Sequence, residues 1–145
     1  MKRLLVYAAL ALLPGVAMAD WEAVGTTELH LKSTDGQAIL FVAKGGGVGF
    51  AGKSRQVCSQ YHDELKDREY AGDLEINGQL VKFDRKCRLD NLVLYASTAK
   101  GAEYLSSLIL DKADITISGN NGPIASFKNK GLEEAMKKLN RPPAI

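Results

Sequence analysis

Metal-ligating and redox residues are scarce in this chain, with two histidines and two cysteines among 145 residues. Cys58 and Cys87 do not form a C-x-x-C pair, and neither His30 nor His62 stands at a ligand-like spacing from them. A zinc cluster or a dithiol redox motif therefore has no local support. No H-E-x-x-H, G-x-S-x-G or paired-carboxylate signature occurs, so no catalytic residue, metal or cofactor is assigned. An excess of one charge is also missing. There are 19 basic and 17 acidic residues, and two of the basic ones, Lys2 and Arg3, lie at the extreme N-terminus. Without them the net charge falls from +2 to zero, which argues against a nucleic-acid partner. Beyond residue 19 there is no low-complexity tract, no repeat and no long linker.

The N-terminus carries the most specific signal. Lys2 and Arg3 precede an unbroken apolar run from Leu4 to Leu13, Pro14-Gly15 interrupts it, and Ala17-Met18-Ala19 supplies small residues at a cleavage site. This reads as a secretory signal peptide over residues 1–19, with an apolar stretch too short to span a bilayer. Cleavage after Ala19 leaves residues 20–145 as one periplasmic or secreted domain that is not inserted in the membrane. No cysteine follows the cleavage point to take a lipid anchor. In an oxidising compartment an even pair of cysteines is expected to form a disulfide, here Cys58–Cys87. Such a bond stabilises by about 3–4 kcal/mol on the chain-entropy account.

Periodicity gives the elements. Thr26 to Lys32 alternates as a strand, and Asp35-Gly36 marks a turn before a mostly buried strand, Gln37 to Lys44. Gly45 to Gly52 reads as a flexible glycine-rich loop. Arg55 to Ser59 is a possible short strand, and Gln60 to Tyr70 a helical turn or an exposed loop. Asn77-Gly78 is a type I′ hairpin signal, because both residues accept positive φ. It pairs Ile76 with Gln79, Leu74 with Val81 and Asp73 with Lys82, placing Leu74, Ile76, Val81 and Phe83 on one face. An Asp73–Lys82 ion pair is expected on the other. Asn91 to Thr98, Asp114 to Ser118 and Ile124 to Phe127 read as strands. Gly101 to Lys112 and Gly131 to Leu139 carry helical spacing, the second with Leu132, Ala135, Met136 and Leu139 as its stripe. The fold class expected is α+β: a small antiparallel β-rich sandwich or curved sheet of about seven or eight strands, with a packed C-terminal helix.

Gly47 to Ser54 satisfies G-x-x-x-x-G-K-S, the phosphate-cradling pattern, and follows a strand. Nucleotide binding is nonetheless rejected. The motif needs a parallel sheet with crossover helices, whereas this chain reads as hairpins, and ATP is not normally supplied outside the cytoplasm. The stretch from Gly45 to Lys53 is read instead as a contact loop, together with exposed strand edges. Phe50, Lys53 and Arg55 are its candidate binding residues. His30 is expected to face solvent from a strand. His62 lies in the polar run Tyr61-His62-Asp63-Glu64 without an identifiable partner. Trp21 is expected in the core.

The order of features resembles a known layout. Trp21 opens the exported chain, Ser33-Thr34-Asp35-Gly36 precedes a strand, and Val57-Cys58 and Phe83-x-x-x-Cys87 flank the central hairpin. The end runs Ile124-Ala125-Ser126-Phe127-x-x-x-Gly131-Leu132-x-x-Ala135-Met136-x-x-Leu139. This is similar to small periplasmic proteins of the invasion-associated locus B and type VI secretion-associated kinds, in which a terminal strand–helix unit closes a β-rich domain. The resemblance implies a non-enzymatic envelope protein that acts by contact and brings no catalytic residues with it. The function expected is an exported, disulfide-bonded binding or accessory protein with an envelope or secreted protein as partner. An inhibitor or immunity protein against a lysozyme or secreted toxin is the first alternative, and a small hydrolase using His62 the second.

Overall fold

The computed structural model describes residues 20–52, 69–88 and 91–140. Among these residues nine strands run in chain order as β1 (Glu22–Val24), β2 (Glu28–Lys32), β3 (Ala38–Ala43), β4 (Val48–Gly52), β5 (Glu69–Ile76), β6 (Gln79–Arg88), β7 (Asn91–Ala96), β8 (Ile115–Gly119) and β9 (Gly122–Phe127). Helix α1 (Ala99–Leu110) lies between β7 and β8, and α2 (Leu132–Leu139) follows β9. The strands form one open antiparallel sheet in the order β1-β2-β3-β4-β7-β6-β5-β8-β9. The α+β class and the antiparallel architecture are thus as the sequence predicts, in the curved-sheet form.

Curling brings the two ends of the sheet together. The Thr34 N–H donates to the Ser126 carbonyl at 2.8 Å, and the Trp21 N–H to the Lys130 carbonyl at 3.1 Å. Phe50 on β4 lies 5.9 Å, ring to ring, from Phe127 on β9, five places away in the strand order. Leu31, Leu40, Ile76, Phe83, Ile115 and Phe127 lie on this first face and are fully enclosed, with Leu105 and Ile109 of α1 and Leu132 and Ala135 of α2 packed against them. Burying a side chain of this size stabilises by about 1.5–3 kcal/mol, which is why the apolar alternation dictates the curl.

The Asn77-Gly78 hairpin has the predicted register, Ile76↔Gln79, Leu74↔Val81 and Asp73↔Lys82, with φ of 48° and 83° at its two turn residues. Its tip also does tertiary work. The Asn77 carboxamide oxygen accepts from the Thr116 N–H at 2.7 Å, and its nitrogen donates to the Asp114 carbonyl at 2.9 Å, seating β5 beside β8. Asp73 stands opposite Lys82 but accepts from the Tyr70 hydroxyl at 2.7 Å in place of the expected ion pair.

Thr98 caps α1 by accepting from the Gly101 N–H at 3.1 Å. At the other end of α1, buried Asn129 donates to the Ile109 carbonyl at 3.0 Å and accepts from the Trp21 indole N–H at 2.8 Å. Trp21 is therefore a core residue, as expected, with its one polar atom satisfied. In α2, Glu133 and Glu134 stand in the first turn and Lys137 and Lys138 in the last, both favourable to the helix dipole. Met136, placed on the apolar stripe by its spacing, is 43% exposed because the helix is short and docks along Leu132 and Ala135.

The Gly45–Gly52 stretch needs correction. Only its first residues turn; Val48–Gly52 is a strand inside the sheet, paired with β3 and β7. Its large and small residues alternate. Val48 and Phe50 enter the core, while Gly49 leaves room on the opposite face for the Phe41 ring. A Cβ at Gly49 would come within 2.5 Å of Phe41 Cζ and 2.9 Å of the Leu94 carbonyl oxygen. An antiparallel central strand is not a phosphate loop, so the described part of the G-x-x-x-x-G-K-S match has the wrong backbone for nucleotide binding.

Candidate contact site

The second face of the sheet carries a compact cluster built by β2, β3, β4, β6 and β7. Phe41 lies over Gly49 and meets Tyr95 edge-on at 5.7 Å. Phe41 and Val93 are buried although they point away from the main core. The Arg88 guanidinium covers Phe41 at 5.6 Å from the ring centroid and is ion-paired with Glu28. From β6 to β2 is four inter-strand steps, about 19 Å across a flat sheet. An arginine and a glutamate nevertheless meet, so the sheet does not run flat between them. His30 joins the cluster, with Nε2 2.8 Å from the second Glu28 carboxylate oxygen.

Glu28 is largely enclosed, at 15% side-chain exposure, so burial raises its pKa. The hydrogen bonds and charges of His30 and Arg88 outweigh that cost and hold the carboxyl below its ordinary value. Around this group is a depression of about 390 Å³ whose floor includes Ile39, Phe41, Ala51 and Val93 and whose wall is Glu28, His30 and Arg88. Lys86 is exposed on the same face of β6, two residues before Arg88. The chemistry offered is recognition. A guanidinium over an aromatic ring, beside an apolar floor, suits an acidic or aromatic side chain.

The predicted site residues fall in different places. Phe50 is a core residue at 4% exposure, 5.8 Å from Phe83, so it is corrected from surface contact to packing. Lys53, Arg55, Cys58 and His62 lie outside the described residues. Cys87 is on β6 opposite Leu92. His30, expected to face solvent, is half-buried against Glu28. Glu28 and Arg88 were missed by sequence reasoning. The Glu28-x-His30 spacing, which puts both side chains on one face of a strand, was the available signal; nothing local marks Arg88 as their partner.

Among the described residues, no cluster of three or more His, Cys, Asp or Glu is arranged to hold a metal ion. No helix among them is long and apolar enough to cross a membrane. No known family model matches the chain, and no curated protein or solved structure is significantly similar to it.

Proposed function

We propose that this chain is an exported periplasmic protein of the bacterial envelope, stapled by a Cys58–Cys87 disulfide, that acts by contact with a protein partner and not by catalysis. The observation that carries the reading is the Arg88–Phe41–Glu28–His30 cluster. Its arginine is ordered before binding by a ring on one side and a carboxylate on the other, yet stays 40% exposed. Pre-ordered arginine and aromatic residues contribute most where interfaces form, because little side-chain entropy is left to lose. The signal-peptide pattern, the balanced charge of residues 20–145 and the resemblance to contact-acting periplasmic proteins support the same reading.

Affinity capture tests it. The oxidised exported chain is used as bait in an envelope extract, beside Arg88→Ala and Lys86→Glu variants checked for an unchanged melting transition. A stoichiometric protein captured by the parent and weakened about tenfold or more by either variant is the expected result. Lys86→Glu keeps the test valid if Arg88→Ala unfolds. Capture unchanged in every variant that keeps the parent's melting transition, or no partner after gentle crosslinking, overturns the reading. The identity of the captured protein separates a secretion accessory from an inhibitor.

A further inference from the structure

The described residues do not fill the curled first face along its whole length. Trp21, Phe127 and the two helices close one part of it, and an apolar cleft of about 270 Å³ remains between two lips of the sheet. One lip is β3, β4 and β7, with Ala38, Phe50 and Leu94; the other is β5, β8 and β9, with Leu74, Ile117 and Ile124. None of the described lining residues carries a charged or hydrogen-bonding side chain. Ile124 stands at the rim with 54% of its surface exposed.

A second depression, about 420 Å³, adjoins the cleft and shares Leu74 and Ile124 as walls. Its chemistry is opposite. Asp73 and the β8–β9 turn residues Asn120 and Asn121 line it, and among the described residues no cationic one does. Both asparagines are exposed, and no hydrogen bond joins either side chain to another described residue. Gly119 is what lets the two walls meet: a Cβ there would lie 3.1 Å from Ile124 Cδ1 and 3.7 Å from Leu74 Cδ2.

We propose that cleft and turn depression form one bipartite site for a single-chain amphiphile, with its alkyl or acyl chain between the lips and an uncharged, hydroxyl-rich headgroup on Asp73, Asn120 and Asn121. The cleft takes the chain because it offers nothing to a polar group, and burying apolar surface supplies the affinity. The depression selects the head. The two asparagine carboxamides and the Asp73 carboxylate, which keeps acceptor capacity beside its bond from Tyr70, suit sugar hydroxyls, and a carboxylate with no cation among the described lining residues disfavours an anionic head. This site is on the opposite face from the Arg88 cluster, so its failure and that of the contact reading are separately observable.

The test uses the oxidised exported chain and decyl maltoside below its micelle-forming concentration, with calorimetric titration. Saturable one-to-one binding is expected. Decanoate and maltose are each expected to bind at least about tenfold more weakly. Ile124→Asp changes only an exposed rim residue and is expected to abolish binding while the melting transition stays. Asn120→Ala with Asn121→Ala is expected to erase the preference for the maltoside over decanol. A parallel arm replaces the monomeric glycoside with phosphatidylcholine vesicles containing an alkyl glycolipid; the proposal expects binding to free monomer without retention on the vesicles. No saturable binding, equal binding by Ile124→Asp, equal affinity for decanoate, or binding only to vesicles overturns it.

Discussion

The two faces of the sheet hold their aromatic residues by different physics. On the first face Phe50, Phe83 and Phe127 are packed ring against ring, with centroids 5.8 and 5.9 Å apart, and no charged group takes part. On the second face Phe41 is buried to a similar degree, but its cover is the Arg88 guanidinium, itself held by Glu28 and His30. Dispersion and water exclusion respond little to pH or salt, whereas a carboxylate–cation cluster responds to both. One sheet thus combines an apolar face with a face whose aromatic residue is held by charge.

The largest effect should come from the first face. Phe83→Ala empties a fully buried position and is expected to cost about 3–5 kcal/mol in urea unfolding. A loss under 1 kcal/mol would mean that the phenylalanine cluster does not hold the curl. Gly49→Ala strikes the seam between the faces, since its Cβ meets both Phe41 and the Leu94 carbonyl. A cost of about 1–3 kcal/mol is expected, only partly recovered by adding Phe41→Leu, because the smaller side chain relieves the ring and not the backbone contact.

Asn77→Gly preserves the positive φ that the turn requires while removing the side-chain bonds to Thr116 and Asp114. It should cost about 1 kcal/mol, and amide exchange at the Thr116 N–H should accelerate more than within the β5–β6 pairs. Uniform acceleration across the hairpin would show that the turn, not the docking, was damaged.

Acid distinguishes the faces most directly. The Glu28 carboxyl titrates lower in the fold than its ordinary value of 4.5, so the charged form is favoured by folding. Its contribution is complete above that value and is lost as pH falls through the lower, folded value. Glu28→Gln should therefore flatten the acid limb of the stability curve. Phe83→Ala should lower the whole curve and leave its slope unchanged. Other carboxyls held low, such as Asp114 beside Lys128 and the Asn129 N–H, keep the remaining slope above zero. Identical acid slopes for the parent and Glu28→Gln would remove the electrostatic account of the second face.

Legibility followed the range of the interactions. The hairpin register was readable because Asn77 and Gly78 favour a turn locally and the flanking apolar residues alternate in step with it. The helices were readable from spacing: Leu105 and Ile109 of α1, and Leu132 and Ala135 of α2, are buried as an apolar stripe requires. The stretch around Gly49 was misread because glycine signals backbone freedom and empty space alike. Here it provides space for a ring contributed by a neighbouring strand. Its alternation, Val48 and Phe50 against Gly49 and Ala51, was present but weak, since small residues carry little hydrophobic contrast.

By itself the sequence determined the antiparallel, β-rich class, the Asn77-Gly78 turn and both helices, because backbone preference and side-chain period act over a few residues. Tertiary structure alone decided that β4 lies between β3 and β7, that Phe50 packs inward, that Arg88 reaches Glu28, and that a cleft remains beside Ile124. Those outcomes depend on how a nine-stranded sheet curls to bury one face, a balance summed over side chains far apart in the chain, which no local pattern encodes.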